Sequence, residues 1–438
     1  MVIAAPASGS GKTTVATGLI GALRAAGHRV APFKVGPDYV DPGYHTLAAA
    51  RPGRNLDPVL VGEHRVGPLY AHGAAGCDVA VVEGVMGLFD GRTGTSGFGS
   101  TAHVAELLGA PVVLVVDARG QAASLAALLH GFATYRPGTR LAGVVLNRVG
   151  SDRHEQVLRL ACDEVGLSVL GVLPRHEELR VPSRHLGLVT AVEYGSAATR
   201  AVAAMTELAR THLDLPALMA LAASSVREAP WAPEREVSRI PGRPVVAVAG
   251  GAAFTFGYAE HVELLTAAGA EVVVLDPVRD TTLPAGMRGL VLPGGFPEEH
   301  AAALADNTQL LAAVRAAAAA GVPVHAECGG LLYLVRELDG HRLAGVLDAT
   351  ASFSPRLQLG YRDAVALADS VLHPAGDRVS GHEFHRTELT PAAGASPAWG
   401  WTDCREGFTD GRVHASYLHT HPAGAPQSVT RFVAACAA

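Results

Sequence analysis

Short runs of apolar residues alternate with longer amphipathic stretches along the first half of the chain. Six runs rich in β-branched residues are separated by segments long enough for crossover helices, which is the pattern of a parallel sheet. The predicted strands are Val2–Ala5, Val30–Lys34, Asp78–Val82, Pro111–Val116, Leu141–Leu146 and Val169–Leu173. The Ala- and Leu-rich segments between and after them predict helices over Thr13–Ala26, Gln121–Tyr135 and Ala197–Arg227.

The alternation stops at a proline-rich segment of mixed charge, which predicts a linker, and then begins again. Four further apolar runs predict strands at Pro244–Val248, Val272–Leu275, Gly289–Leu292 and Val322–Ala326. The sequence therefore predicts an α/β protein of two domains. Their bounds are 1–227 for the first domain, 228–243 for the linker and 244–438 for the second domain.

The composition of the chain excludes some classes of protein. Apolar residues make up 49% of the 438 residues and charged residues 17%, which is typical of a globular protein. A net charge of −6 argues against a nucleic-acid partner, and no uncharged apolar run reaches the roughly 18 residues of a membrane helix. The five cysteines lack metal-site spacing, and the first residues do not resemble a signal peptide. We expect a cytoplasmic protein with no membrane partner.

The segment PASGSGKTT follows the first predicted strand and opens a helix, where a phosphate-binding loop belongs. Gly9 and Gly11 would let backbone N–H groups turn towards an anion at the helix N-terminus. Lys12 would contact the β- and γ-phosphates of ATP, and the Thr13 hydroxyl would contact Mg²⁺. The loop departs from its strict form at Pro6, where that form has glycine. ATP and Mg²⁺ are the predicted cofactors.

Further polar side chains follow other predicted strands of the first domain. Lys34, Asp38 and Asp41 come after the second strand, and Glu83 ends the third. Ligands bind beyond the carboxyl ends of parallel strands, so we predict that Lys34 binds ATP and that Asp38 and Glu83 bind metal. Asp41 is predicted to contact phosphate, metal or substrate. Asn147 ends another strand and would bond an adenine edge, with an exposed turn residue as the alternative.

In the second domain, Cys328 stands between the predicted strand VPVHAE and two glycines. A cysteine on a strand-to-helix turn faces a helix N-terminus, so we expect it to be partly exposed with a lowered thiol pKa. Backbone N–H groups of Gly295, in LPGGF, and of Gly329 would bind an oxyanion. A small buried core residue is the alternative for the cysteine.

A thiol nucleophile needs a base, and the segment RVHASYLHTHPAG offers His414, His419 and His421. The run Tyr-Leu-His favours His419, while His-Pro keeps His421 open. A third polar cluster, in GHEFH, consists of His382, Glu383 and His385. A metal pair is conceivable for these three, but they lack a further ligand at metal-site spacing, so substrate contact is the favoured interpretation.

The order of PGG, ECGG and YLH resembles the class I glutamine amidotransferase domain. In that family a thiolate attacks the amide of glutamine, releases ammonia and leaves a thioester that water hydrolyses. Cys328 matches the family's nucleophile, and His419 matches the base that increases its reactivity. Many members have Glu two residues after that His, where this chain has His421. The resemblance therefore implies a Cys–His dyad.

The whole chain resembles the cobyrinate or hydrogenobyrinate a,c-diamide synthases of cobalamin biosynthesis, in which a dethiobiotin-synthetase-like ATP domain is fused to a class I glutaminase. The resemblance lies in the segments PASGSGKTT, KVGPDYVDPGYH, NLDP, EGVMGLFDG, RHLGL, PGGFPE, AECGGLLYL and GHEFH. It implies that ATP phosphorylates a corrin carboxylate and that ammonia from glutamine displaces the phosphate, at position c and then at position a.

Three other interpretations stay open at this point. Within the same class, the substrate could be another tetrapyrrole, or the activity could be that of cobyric acid synthase. In a different class, the chain could be a partitioning-type ATPase with a non-catalytic second domain. The implied partners are the corrin carboxylate, glutamine and ATP, with a homodimer left open.

Overall fold

The computed structural model describes residues 1–175, 183–184, 187–188, 190–402 and 404–438. The chain divides into two compact units, Met1–Trp231 and Ala232–Ala438, and the division lies within the proline-rich segment. His185 and Leu186 of the RHLGL motif lie outside the described residues. Among the described residues, no helix combines the length and the apolar character needed to cross a membrane.

The first unit is built on a seven-stranded sheet in which every neighbouring pair is parallel, in the order β3-β2-β4-β1-β5-β6-β7. Its strands are β1 (Val2–Ala4), β2 (Val30–Val35), β3 (Arg54–Leu56), β4 (Val79–Glu83), β5 (Val112–Asp117), β6 (Leu141–Val149) and β7 (Val169–Pro174). The short strands β8 (Ser183–Arg184) and β9 (Gly187–Leu188) pair with each other. The helices are α1 (Lys12–Ala25), α2 (Asp41–Ala49), α3 (Pro58–Val61), α4 (Glu63–Ala74), α5 (Thr101–Leu108), α6 (Leu125–Thr134), α7 (Asp152–Val165), α8 (Ala191–Tyr194), α9 (Ser196–His212) and α10 (Leu215–Leu221).

All six strands predicted in the first half are confirmed, with ends that differ by a few residues. They were recognisable because helices cover parallel sheets on both faces, so their strands are continuous apolar runs. Strand β5 is an example, with five of its residues buried in succession. Strand β3 was missed, since Arg-Asn-Leu is too short and too polar to show this pattern.

The single long helix predicted over Ala197–Arg227 is wrong. Helix α9 ends at His212, Leu213 is extended and bridges Gly171, and α10 ends at Leu221. The Asp214 side chain accepts the backbone N–H of Ala217 and so caps a new helix. Proline at position 216 has no N–H and its ring would clash with the carbonyl of His212 in a continuous helix, whereas the first turn of α10 tolerates it, which explains the break. The helix predicted over Gln121–Tyr135 begins later, at Leu125.

The second unit contains two larger sheets, one in the order β11-β10-β12-β13-β21-β20 and one in the order β15-β14-β16-β17-β22. The strands are β10 (Val245–Ala249), β11 (Glu271–Leu275), β12 (Met287–Leu292), β13 (Val324–Glu327), β14 (Glu337–Leu338), β15 (His341–Arg342), β16 (Thr350–Ala366), β17 (Arg378–Thr390), β18 (Trp399–Trp401), β19 (Cys404–Glu406), β20 (Phe408–Asp410), β21 (Val413–Ser416) and β22 (His419–Thr420). The helices are α11 (Pro233–Glu236), α12 (Ala259–Ala267), α13 (Ala301–Asp306), α14 (Thr308–Ala319), α15 (Gly329–Leu334) and α16 (Pro426–Ala437), and short 3₁₀ helices span Pro297–His300 and Pro422–Gly424.

The four strands predicted in the second half are confirmed as the parallel core β10 to β13. The long antiparallel hairpin of β16 and β17 was missed. After β21 the chain leaves the first of these sheets and joins the second one as β22, which pairs with β17. This change of sheet positions the late histidine segment beside the end of β13.

Candidate active sites

The phosphate loop connects β1 to α1 in the first unit. Gly11 has a φ of 100°, and a Cβ at that position would overlap the side-chain amide of Asn147, so only glycine fits. Asn147 donates Nδ2–H to the carbonyl oxygen of Ser10 at 2.9 Å. Its side chain therefore holds the loop, and the adenine contact predicted for it stays a prediction. Gly9, with a φ of 77°, also needs the freedom of glycine.

Four polar side chains meet beside this loop. The Lys34 Nζ lies 2.7 Å from Asp41 Oδ2 and 2.9 Å from Glu83 Oε1. The Thr13 hydroxyl donates to Glu83 Oε1 at 2.7 Å and lies 3.3 Å from Asp41 Oδ2. Strands β2 and β4 end next to each other, which brings residues far apart in sequence together. The sequence-based grouping of these residues matches their observed contacts.

This cluster has two carboxyl groups, those of Asp41 and Glu83, and one ammonium group, that of Lys34. Burial alone would lower the pKa of Lys34, but Asp41 and Glu83 outweigh burial and raise it. Burial would likewise raise the pKa of Glu83, but Lys34 and a bond from His45 hold it well below its usual range. The pKa of Asp41 is raised, first by burial and then by the charges of Asp38 and Glu83. Oxygen ligands with surplus negative charge fit a hard divalent cation such as Mg²⁺.

The two aspartates after β2 have different environments. Asp38 Oδ1 accepts the backbone N–H groups of Val40 and Asp41, at 2.8 and 3.1 Å, so it forms a local turn. Its Oδ2 lies 3.9 Å from the Lys34 Nζ, farther than Asp41 does. Asp41 is thus the aspartate that contacts Thr13 directly.

Two further contacts complete the first site. His45, which the sequence analysis missed, lies with Nε2 2.7 Å from Glu83 Oε2, and both side chains are fully buried. The Lys12 Nζ donates to the carbonyl oxygen of Met86 at 2.5 Å. Burial and the charge of Lys34 lower the pKa of Lys12 to about 8. The phosphate loop is therefore tied to the loop that follows β4.

In the second unit, Cys328 occupies the turn between β13 and α15. Its backbone has φ 46° and ψ −99°, a strained conformation for a residue other than glycine. The Cys328 N–H donates to the carbonyl oxygen of Ser416 at 2.7 Å. A Cβ at Gly329 would lie 2.8 Å from the backbone nitrogen of Gly295. The two glycines predicted for an oxyanion site are therefore adjacent.

His419 lies in β22, against the same glycine loop. A Cβ at Gly294 would overlap Cε1 of the His419 ring, so this loop contacts the histidine as well as the cysteine turn. His419 is buried. Its ring therefore belongs to the same corner of the unit as the turn of Cys328, although the two residues are far apart in sequence.

Glu327, directly before the cysteine, is the side chain that the sequence analysis missed here. Its Oε2 lies 3.9 Å from His419 Nδ1. Its Oε1 accepts the N–H of Thr420 at 3.2 Å and the Thr420 hydroxyl at 2.9 Å, and lies 3.3 Å from His325 Nε2. Burial opposes ionisation, but the bond to His325 and the charges of His325 and His419 lower the pKa of Glu327 to about 2. An ionised carboxylate therefore faces the histidine.

His421 has a different environment. Its Nδ1 accepts the backbone N–H of Ala423 at 3.2 Å, at the start of the 3₁₀ helix Pro422–Gly424. Its ring packs on Tyr258, with ring centroids 4.1 Å apart. Its Nδ1 is thus already the acceptor of a backbone hydrogen bond, unlike a nitrogen that is open to the proton of a thiol.

The expectation of an exposed thiol with a lowered pKa is wrong. Cys328 is only 3% exposed, and burial, followed by the charge of Glu298, raises its pKa well above the usual value despite a bond from the Gly329 N–H. Helix α15 has only six residues and opposes this effect weakly. Burial lowers the pKa of His419 to about 4. At neutral pH the thiol is therefore protonated and the imidazole of His419 is neutral.

The cluster in GHEFH lies on β17, and His382 pairs in register with His419. Glu383 forms an ion pair with Arg362 at 2.6 Å, and the His385 ring stacks on Tyr417 with centroids 3.7 Å apart. No group of three acidic, histidine or cysteine side chains suited to a metal occurs among the residues that the structure describes. These three residues border the thiol site, and their contact with substrate stays a prediction.

Together, the parallel sheet with its phosphate loop and the buried thiol beside a histidine define a nucleotide-binding unit joined to a glutamine amidotransferase-type unit. Residues 1–189 match the CobQ/CobB/MinD/ParA nucleotide binding domain, and residues 245–426 match the CobB/CobQ-like glutamine amidotransferase domain.

Relatives match the chain almost from end to end. A protein of Mycobacterium bovis named hydrogenobyrinate a,c-diamide synthase is 62% identical over 99% of this chain and 97% of its own. One of the same name from Streptomyces coelicolor is 56% identical over 100% of this chain and 97% of its own. A cobyrinate a,c-diamide synthase of Gloeobacter violaceus is 44% identical over the same shares. The chain belongs to the hydrogenobyrinate and cobyrinate a,c-diamide synthase family.

Proposed function

We propose that this chain uses ATP and glutamine to amidate the a and c carboxylates of hydrogenobyrinate or cobyrinate in cobalamin biosynthesis. The observation that supports this most strongly is the presence, in one chain of this family, of a phosphate loop and a buried thiol site. A carboxylate resists attack by ammonia because it is negatively charged, whereas an acyl phosphate has a good leaving group. One site is needed to activate the carboxylate and another to release ammonia.

In the first unit, a carboxylate oxygen of the corrin attacks the γ-phosphorus of ATP, and ADP leaves. Lys12 and Lys34 stabilise the charge on the transferring phosphoryl group. Mg²⁺, held by Thr13, Glu83 and Asp41, would supply further positive charge there, with Asp38 as the more distant candidate ligand. Ammonia then attacks the acyl carbon, phosphate leaves, and loss of a proton gives the amide.

In the second unit, His419 takes the proton of Cys328 as its sulfur attacks the amide carbon of glutamine. The N–H groups of Gly295 and Gly329 stabilise the oxyanion. The imidazolium then protonates the leaving nitrogen, and ammonia departs. Water hydrolyses the thioester to glutamate and regenerates the thiol. Glu327 keeps the imidazole oriented and stabilises its charged form.

Mass spectrometry of the corrin product tests this proposal. The purified chain is incubated with hydrogenobyrinate or cobyrinate, ATP, Mg²⁺ and glutamine, and we expect two successive replacements of a carboxylate OH by NH₂. ATP hydrolysis without amide formation from either corrin would contradict the proposal and favour a partitioning-type ATPase. Amidation of a different tetrapyrrole, or at other carboxylates, would support the class of glutamine-dependent amidating enzyme but contradict the proposed substrate.

The role of Cys328 is tested in the same assay. Cys328→Ser should abolish amidation with glutamine but keep most of the rate with concentrated ammonia, because the phosphate loop is unchanged. Cys404→Ser, at an exposed cysteine, is the matched control and should behave like the unsubstituted protein with both nitrogen donors. Equal loss with both donors in Cys328→Ser would contradict the assignment.

A further inference from the structure

Three aromatic rings cluster on the surface of the first unit. The Phe89 ring lies nearly parallel to that of Phe132, with centroids 5.6 Å apart and planes at 18°, and 4.9 Å from the centroid of Tyr135. Phe89 and Phe132 are half-buried, and Tyr135 is 68% exposed. Single exposed apolar side chains are common, but a contiguous group marks a binding surface. These three residues are called the aromatic platform below.

The platform adjoins the phosphate loop. Phe89 lies in the loop after β4, and its neighbour Leu88 donates its N–H to the carbonyl oxygen of Ala5 at 2.8 Å, where β1 runs into the phosphate loop. Met86 of the same loop accepts the ammonium of Lys12 at 2.5 Å. Successive Cα atoms are about 3.8 Å apart, so Phe89 stands one residue from a direct contact with the end of β1. A molecule on the platform is therefore beside the site of phosphoryl transfer.

A positively charged residue adjoins the platform in sequence. Arg136, directly after Tyr135, donates to the carbonyl oxygen of Ser96, and a Cβ at Gly97 would lie 2.7 Å from its Nη2. This carbonyl is a neutral acceptor and not the carboxylate of an ion pair. An apolar surface with a cation at its rim complements a macrocycle that has apolar faces and carboxylates around its edge.

We propose that Phe89, Phe132 and Tyr135 bind the face of the corrin macrocycle while one of its peripheral carboxylates reaches the phosphate loop. This inference rests on the proposed function and names the part of the chain that holds its substrate. Stacking depends little on rotation of the ring within its own plane, as it does for bases on aromatic side chains. One platform can therefore present the c carboxylate and, after the ring has turned, the a carboxylate.

Substitution of Tyr135 tests the platform, since this exposed side chain is not needed for the core. Tyr135→Ala should raise the KM for the corrin about fivefold or more in both amidations, with kcat changed much less. Tyr135→Phe keeps the ring and should restore the KM. Leu160→Ala, at a 69% exposed position on α7, is the matched control and should leave the KM unchanged. The Kd for hydrogenobyrinate without ATP, from an absorption titration, should rise in parallel with the KM.

The outcomes separate the platform from the proposed function. If the unsubstituted protein amidates the corrin and Tyr135→Ala leaves the KM and Kd for the corrin unchanged, the platform does not bind the corrin, and the proposed function is retained. If the unsubstituted protein neither amidates nor binds the corrin, both are wrong. An effect on only one amidation would rule out a shared platform. A change of molar mass in light scattering with an unchanged corrin KM would assign the three rings to an interface between copies of the chain, and would overturn the proposal.

Discussion

At the scale of single residues, the carboxylate of Glu327 decides how the imidazole of His419 behaves. One oxygen is fixed by the N–H and hydroxyl of Thr420, so the other is held towards the histidine, 3.9 Å from its Nδ1. A negative charge here stabilises the imidazolium that forms when the thiol loses its proton. We therefore propose that Glu327 takes the role of the acid that many members of the glutamine amidotransferase family have two residues after the histidine, where this chain has His421.

Glu327→Gln should lower kcat of the glutaminase about tenfold or more, because the imidazolium loses its counter-charge. The Glu327 charge raises the pKa of His419 against the effect of burial, so its removal should lower that pKa below its present value of about 4. The acid limb of the kcat/KM profile should therefore move to lower pH, whereas a purely structural defect would leave the limb in place. Glu327→Asp should recover part of the rate. An unchanged profile and rate in Glu327→Gln would contradict this role.

The two late histidines should respond differently to substitution. His419→Ala should abolish glutaminase activity and slow the alkylation of Cys328, since no nearby group then accepts the thiol proton. His421→Ala should lose much less on both measurements, because its Nδ1 already accepts a backbone N–H and its ring packs on Tyr258. If the two variants exchanged their behaviour, His421 would be the base.

At the scale of elements, the first site depends on where strands end. Strands β2 and β4 are neighbours, and their last residues include Lys34 and Glu83, which meet beside the start of α1. Both side chains are buried in the parallel sheet, so their positions are fixed by the strands that carry them. The position of Lys34 beside Glu83 follows from the pairing of these two strands and not from the conformation of a loop, so we expect it to be rigid.

Glu83→Gln should abolish amidation with glutamine and with ammonia, because activation of the carboxylate comes before the nitrogen step. Glutaminase activity without corrin should remain, as the thiol site lies in the other unit. Both activities are measured, by product mass and by glutamate release. Glu207→Gln, at an exposed ion pair on α9, is the matched control. Normal amidation by Glu83→Gln at saturating Mg²⁺ would show that the metal site is misplaced.

Some elements could be predicted from the sequence and others could not, for physical reasons. The strands of both parallel cores are buried on two faces and appear as apolar runs. The hairpin of β16 and β17 mixes buried, half-buried and exposed positions along both strands, so its sequence lacks such a run. Cys328 and His419 could be predicted as site residues because the residues next to them in sequence form recognisable motifs. His45 did not, because its contact with Glu83 bridges 38 positions and no local spacing encodes it.

At the scale of the whole molecule, buried imidazoles are concentrated in the second unit. Burial lowers the pKa values of His261 and His419 to about 4 and that of His382 to about 3. Between pH 6.5 and these values the unfolded chain binds protons that the folded unit does not, so stability falls as pH falls. Glu406 acts in the opposite direction, since burial raises its pKa to about 8 and the folded unit retains its proton.

From pH 6.5 to 4.5, five histidines of this unit with lowered pKa values are opposed by one glutamate, which leaves a net difference of about four protons, or roughly 5 kcal/mol per pH unit, at most. Denaturant unfolding of the full chain should therefore show the second unit losing stability over this range. Trp231→Phe leaves Trp399 and Trp401, so the remaining fluorescence reports that unit alone. A free energy of unfolding that stays constant or rises as the pH is lowered would contradict the prediction.

The buried, protonated state of Cys328 also bears on how the protein withstands oxidants. Peroxide reacts with thiolates, and a thiol that is 3% exposed with a raised pKa offers almost none. The thiol that an oxidant reaches first is that of the exposed Cys404, although burial and the charge of Glu383 raise its pKa as well. In the proposed mechanism, Cys328 becomes reactive when His419 takes its proton as the sulfur attacks the amide of glutamine. We therefore expect Cys328 to resist peroxide between turnovers, so that glutaminase activity should outlast the oxidation of the exposed thiol.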